Sequence, residues 1–254
     1  MSDYPEIADR FARDTAGHEM TILHEDGLYR HLRFRPQQHG FYWFDLITVP
    51  YALIFRGDGE SYVFAIDATE DMFVLFRKSS YKRSINPGYW SEKLRSNRDA
   101  ATSYSEKLFE VAVARDLAMA EEDYPGVTAA WAEHLEDEYN IEYEDEARRA
   151  LNEFRFGESY RAECNECDWQ FDADNWSAAS SKLSQHRRDA GDEHAGRTSD
   201  LTFVFSDTWE WRLQDFDWWF LWACHGILAG IARRDRVRYY GLEKLAAPKA
   251  VATS

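Results

Sequence analysis

Polar and apolar positions alternate from about residue 19 to residue 66, and that period of two predicts a β-meander. Asp26-Gly27, between two such runs, marks a tight hairpin turn. In the second run His31, Arg33 and Arg35 alternate with Leu32 and Phe34, which places the three polar residues on one face of a strand. Residues 41–49 are almost continuously aromatic or β-branched, the pattern of a strand covered on both faces. A second turn, Gly57-Asp58-Gly59, separates two further strands at 51–56 and 61–66. Past residue 70 the period lengthens. A short helix is expected at 71–76, and Pro87 suits the first turn of another.

The middle of the chain has helical spacing. Ser103 and Glu106 have the separation of a capping box, followed by Phe109, Val113 and Leu117 at intervals of four. Pro125 opens a second helix carrying Val127, Trp131, Leu135 and Tyr139, and a third carries Tyr143, Ala147, Leu151 and Phe154. A tryptophan-rich hairpin is expected at 201–214. Residues 218–232 are apolar but for His225, and fifteen residues fall short of the about 18–20 a membrane span requires. The run therefore predicts a buried core helix, with Arg233, Arg234, Arg236 and Arg238 placed favourably at its C-terminal end. The fold class is α+β: an N-terminal antiparallel β-meander packed with helices, an acidic helical middle, a small ββα zinc module, a C-terminal hairpin and a buried core helix. The expected main domain is 1–157 with 198–254, and 158–197 is an insertion.

Composition narrows the class. With 10 Trp, 14 Tyr and 16 Phe the chain is globular despite a formal charge of −16. The first residues lack the basic start and apolar middle of an export signal, and three cysteines make no disulfide framework, so a reducing cytoplasm is expected. Charge is uneven. Residues 101–150 hold 14 acids against 4 bases, and residues 77–98 hold seven bases against Glu92 alone. The acidic helices, with Glu136, Asp137, Glu138 and Glu144, form a candidate surface for a basic partner. The basic segment, with Arg77, Lys78, Lys82 and Arg83 and interleaved Tyr81, Tyr89 and Trp90, is the alternative: a phosphate or nucleic-acid contact. A solvated charged face is the default reading of such runs.

One constellation has metal-ligand spacing. Cys164, Cys167, His186 and His194 read C-x2-C-x18-H-x7-H. The cysteines fall on a turn between strands expected at 160–163 and 169–171. The histidines lie near the end of a helix that Asp174 or Asn175 caps and Gly191 ends. Two deprotonable sulfurs and two imidazoles suit a closed structural Zn²⁺ site, with Asp189, Asp192 or Glu193 as alternatives to His194. The segment resembles small C2H2-type zinc domains, but its spacings exceed those of a DNA-reading finger and acids outnumber bases across 158–197.

No phosphate-binding loop, dinucleotide fingerprint or nucleophile elbow occurs, and Cys224-His225 within a helix point apart. Asp45, inside an aromatic strand, requires a partner, for which Arg30 and Arg56 are the candidates. A site around His31, Asp45 and Arg56 is the one enzymatic alternative.

The landmarks FYWFD, GDG, DMFVLFR, NPGYWSEKL and FDWWFLWACHGI resemble, in order and spacing over most of the chain, an uncharacterised protein family of tailed bacteriophages and related prokaryotic mobile elements. The sequence departs from that family at Val49-Pro50-Tyr51 and at Gly57-Asp58-Gly59-Glu60, and the zinc-like segment looks inserted. The resemblance carries over no catalytic residue. It implies a viral product in a prokaryotic cytoplasm. The function expected is a non-enzymatic accessory protein that binds, and inhibits, a host nucleic-acid-handling or defence complex; nucleic-acid binding is the second choice, and no membrane partner is expected.

Overall fold

The computed structural model describes residues 4–241 except 38, 39, 83, 97 and 137, and only the backbone of residues 78–82. The chain opens with helix α1 (Pro5–Asp14) and strands β1 (His18–Asp26), β2 (Tyr29–Pro36), β3 (Phe44–Val49), β4 (Ala52–Gly57) and β5 (Ser61–Ala65). Helices α2 (Met72–Lys82) and α3 (Pro87–Ser91) and strand β6 (Leu94–Ser96) follow. Then come β7 (Thr102–Tyr104), α4 (Glu106–Ala120), α5 (Val127–Leu135), α6 (Glu144–Glu153), β8 (Tyr160–Cys164), β9 (Gln170–Ala173), α7 (Trp176–Ala190) and β10 (Gly196–Asp200). Strand β11 (Gln214–Phe216) and helix α8 (Trp218–Tyr239) complete the order. The α+β class is as the sequence indicates.

Two compact units share these elements: residues up to Ser103 together with those from Asp215, and Tyr104–Gln214. The division falls at 103/104 and 214/215, whereas the sequence placed it around 158–197. The acidic helices separate from the meander because they bury into a cluster of their own.

In the first unit, β1 to β6 form an antiparallel sheet in sequence order. Alternation sends Leu32, Phe34, Phe44, Leu46, Leu53, Phe55, Tyr62 and Phe64 to one face, where they join Phe220, Trp222, Ile227 and Ile231 of α8 in a single core. Asp217 caps α8, its carboxylate accepting from Trp219 N at 2.8 Å. Close approach of helix to sheet depends on two glycines. A Cβ on Gly226 would lie 2.8 Å from the Phe55 ring, and one on Gly230 would lie 2.5 Å from Leu46 Cδ1 and 3.1 Å from Phe34. Buried Arg234, near the helix end, pairs with Glu25 and with Asp235.

In the second unit, Phe109, Val113, Leu117, Val127, Trp131, Ala147, Leu151 and Phe154 form the other core. The cap of α4 is Ser105, which accepts from Leu108 N, and not Ser103, which lies in β7. Helix α5 stops at Leu135, so Tyr139 of the expected stripe lies beyond it. No hairpin forms over 201–214. Phe203 instead makes a bridge to Phe156, Asp207 takes φ 53°, and a single 3-10 turn runs Thr208–Glu210, because Phe203, Phe205 and Trp211 pack on the helical cluster. No helix among the described residues is long and apolar enough to cross a membrane.

Candidate metal centre

Strands β8 and β9 pair antiparallel, with Tyr160 opposite Ala173 and Glu163 opposite Gln170; Cys164 ends β8 and Cys167 lies on the connection between them. Asn175 caps α7, its side chain accepting from Ala178 N at 2.9 Å, and Gly191 at φ 121° ends the helix as its glycine C-terminus requires. His186 therefore lies on the last turns of α7 and His194 just past the end. The module gains a third strand, β10, paired with β8 so that the sheet order is β10-β8-β9. It is ββαβ where the sequence predicted ββα. Strand β10 reads Gly-Arg-Thr-Ser-Asp, with no apolar alternation to announce it.

These elements bring all four expected ligands together. One donor atom from each of Cys164, Cys167, His186 and His194 lies within 4.8 Å of every other. Cys164 Sγ is 3.5 Å from His194 Nδ1, and Cys167 Sγ is 3.5 Å from His186 Nε2. A tetrahedron with Zn–S of about 2.3 Å and Zn–N of about 2.0–2.1 Å has S···N edges of about 3.5–3.6 Å, so the donor set fits that ion. The Glu166 N–H donates to Cys164 Sγ at 3.4 Å. Burial raises the Cys164 thiol, but the Glu166 N–H and bonds from His186 and His194 outweigh it and bring it down to about 6. A thiol poised there is largely thiolate at neutral pH, the form a metal binds. Trp169 stacks on His186 with ring centroids 4.4 Å apart, which fixes the imidazole plane. Asp189, Asp192 and Glu193 are not needed as ligands.

The acidic candidates lie elsewhere in the second unit. Glu136 and Glu138 are exposed; Asp137 falls outside the described residues. Glu144 holds Arg148 at 2.8 Å one turn on, so part of its charge is spent within α6. Of the basic candidates, Arg77 is committed to Asp235, donating from Nε at 2.8 Å and Nη2 at 3.2 Å. Arg83 and the side chains of Lys78 and Lys82 lie outside the described residues.

The third grouping is better formed than the sequence indicated. Asp45 has no exposed surface. Arg33, which sequence reasoning left unassigned, donates to it from Nε and Nη2, both at 2.9 Å; His31 Nε2 is at 3.0 Å and Arg56 Nη1 at 4.0 Å. Burial raises the Asp45 carboxyl, and the bonds from Arg33 and His31 overcome it, so the group sits below the usual carboxylate range. Arg30 is not a partner. One residue out of phase with His31, it faces the core side and forks onto Asp71 at 2.8 and 3.2 Å. With its oxygens taken by neighbouring strands, Asp45 positions Arg33 and His31 and cannot itself reach a substrate.

Cys224 is fully buried, and burial pushes its thiol well up. His225 stacks on Phe11, burial keeps it neutral by lowering its pKa, and its Nε2 has no partner among the described residues. No family model matches the chain, and neither a curated protein nor a solved structure matches it.

Proposed function

We propose that the protein is a non-enzymatic binding protein whose Cys164, Cys167, His186 and His194 hold a structural Zn²⁺. The observation that carries this reading is the set of four donor atoms within 4.8 Å, with both S···N edges at 3.5 Å. Four protein ligands fill a tetrahedral ion, leaving no position for substrate, so the metal's contribution is to hold β8, β9 and the end of α7 together. In biological terms it is an accessory protein of a tailed phage or related mobile element that binds, and inhibits, a host nucleic-acid-handling or defence complex in the cytoplasm. Support for this part comes from the sequence resemblance and from the acidic helices, where Glu136 and Glu138 face solvent.

The test uses the zinc-replete full chain as bait against a host lysate, beside the variant Glu136→Lys, Glu138→Lys and Glu144→Lys. The native protein is expected to retain a nucleic-acid-handling complex that the reversed variant loses, with zinc content and melting unchanged. Equal capture by both would remove the acidic surface from the account, and a chain that folds fully without metal would remove the zinc.

A further inference from the structure

We propose that the outer face of the six-stranded sheet carries a binding site for a phosphomonoester group, built by Arg33, Arg35, Arg56 and Trp43. The face opposite α8 presents the alternate residues of each strand. Arg33 on β2 lies opposite Asp45 on β3, which lies opposite Arg56 on β4, so the three charges form a row across adjacent strands. Trp43 precedes Asp45 by two residues, and Arg35 follows Arg33 by two, so both extend the same face. Trp43 has the guanidinium of Arg56 at 5.1 Å and that of Arg33 at 5.9 Å from its ring.

These side chains line, with Gly40, a half-open cavity of about 260 Å³. Among the described residues no carboxylate lines it. Asp45 lies beneath, fully covered, and its bond to Nε and Nη2 fixes Arg33 while leaving that side chain's Nη1 uncommitted to Asp45. Arg56 is half exposed, and Arg35 is exposed with no ion pair among the described residues. Glu19, the register partner of Arg35, takes a hydrogen bond from Gln37 and stays outside the lining.

Arg33, Arg35 and Arg56 leave a local charge of two positives over Asp45, or one when Glu19 opposite Arg35 is counted, in a chain whose formal charge is −16. A phosphomonoester carries about −1.5 to −2 at neutral pH and matches that balance. Guanidinium forks suit its oxygens. The cavity is smaller than the about 300–1,000 Å³ that holds a drug-sized ligand, which fits one phosphate group with any attached ring resting on Trp43. Zinc and the acidic helices have no part in this site, so its failure leaves the proposed function untouched.

Calorimetric titration of the zinc-replete full chain with inorganic phosphate, and separately with a nucleoside 5′-monophosphate, tests the assignment. Saturable binding of one phosphate group per chain is expected. Arg35→Gln and Arg56→Gln, which spare the Arg33–Asp45 bond, should each weaken it roughly tenfold or more with melting unchanged. Tighter binding of the nucleotide, lost in Trp43→Leu, identifies a ring-bearing phosphate as the source, and equal affinity identifies phosphate alone. Absence of saturable binding at millimolar ligand, or binding indifferent to both arginine variants, overturns the proposal.

Discussion

Asp45 pairs a fully buried carboxylate with half-exposed cations, and that asymmetry decides what its removal does. Its carboxyl is held below the ordinary value, so the stabilisation it gives is present above the pKa of an unfolded aspartate and lost as pH falls through the lower folded value. Asp45→Asn should cost about 1–3 kcal/mol at neutral pH, since Arg33 and Arg56 can turn to water once the anion is gone. The stability difference between variant and native protein should shrink as pH is lowered below about 4, and denaturant melts of the two in parallel will show it. Acid release of a metal from the proposed site would affect both proteins and cancel in that difference. At this scale the clustering of Cys164, Cys167, His186 and His194 was legible, because their spacing is itself chemistry. Asp45 was legible as an oddity, and the parity of a strand tells which arginine serves it: Arg33 shares its face, whereas Arg30 does not. Which cap serves α4 was not legible, since Ser103 and Ser105 both offer a hydroxyl and only the backbone of β7 decides between them.

Helix α8 shows what periodicity can and cannot say about an element. Its apolar run announced burial, and the structure gives it the central place, with Trp222 almost fully buried and its indole N–H on Asp14 at 3.2 Å. Trp222→Ala should cost about 3–5 kcal/mol, read as a lowered denaturation midpoint or a loss of soluble protein. Gly230→Val tests the close approach to Leu46 and Phe34; overpacking of about 1–3 kcal/mol is expected, and a melt no lower than that of the native protein would mean that the sheet yields freely there. The sequence did not reveal β10, whose five residues carry no large apolar side chain, nor the irregular path of 201–214. Both are settled by tertiary partners: β10 by the free edge of β8, and 201–214 by aromatic packing onto Trp131 and Phe154. In the zinc module, His186→Ala should release the metal, and hydrogen exchange should show protection lost over 160–200 while the strands β1–β6 keep theirs.

For the molecule as a whole, two cores of separate composition predict unfolding in two steps. Chelation should lower the step that belongs to 104–214 and leave the other in place, which calorimetry with and without chelator will resolve; a single transition shifted as one would contradict independent units. The sequence located the sheet and its covering helix correctly, yet grouped the acidic helices with them, because hydrophobic spacing shows that a face is buried without naming what buries it. The chain order then has a consequence for synthesis. The sheet is finished by residue 96, but the helix that covers Phe34, Phe44 and Phe55 begins at residue 218, after all of the second unit. A ribosome moving from the N-terminus therefore leaves the aromatic sheet face with only α1 to α3 to pack on it for the whole time needed to translate the intervening unit, at about 5–20 residues per second. The unit begun second is free to fold first, bringing its four Cys and His donors together while the sheet still waits for its lid. For those seconds the nascent chain is most open to aggregation, and most in need of a chaperone.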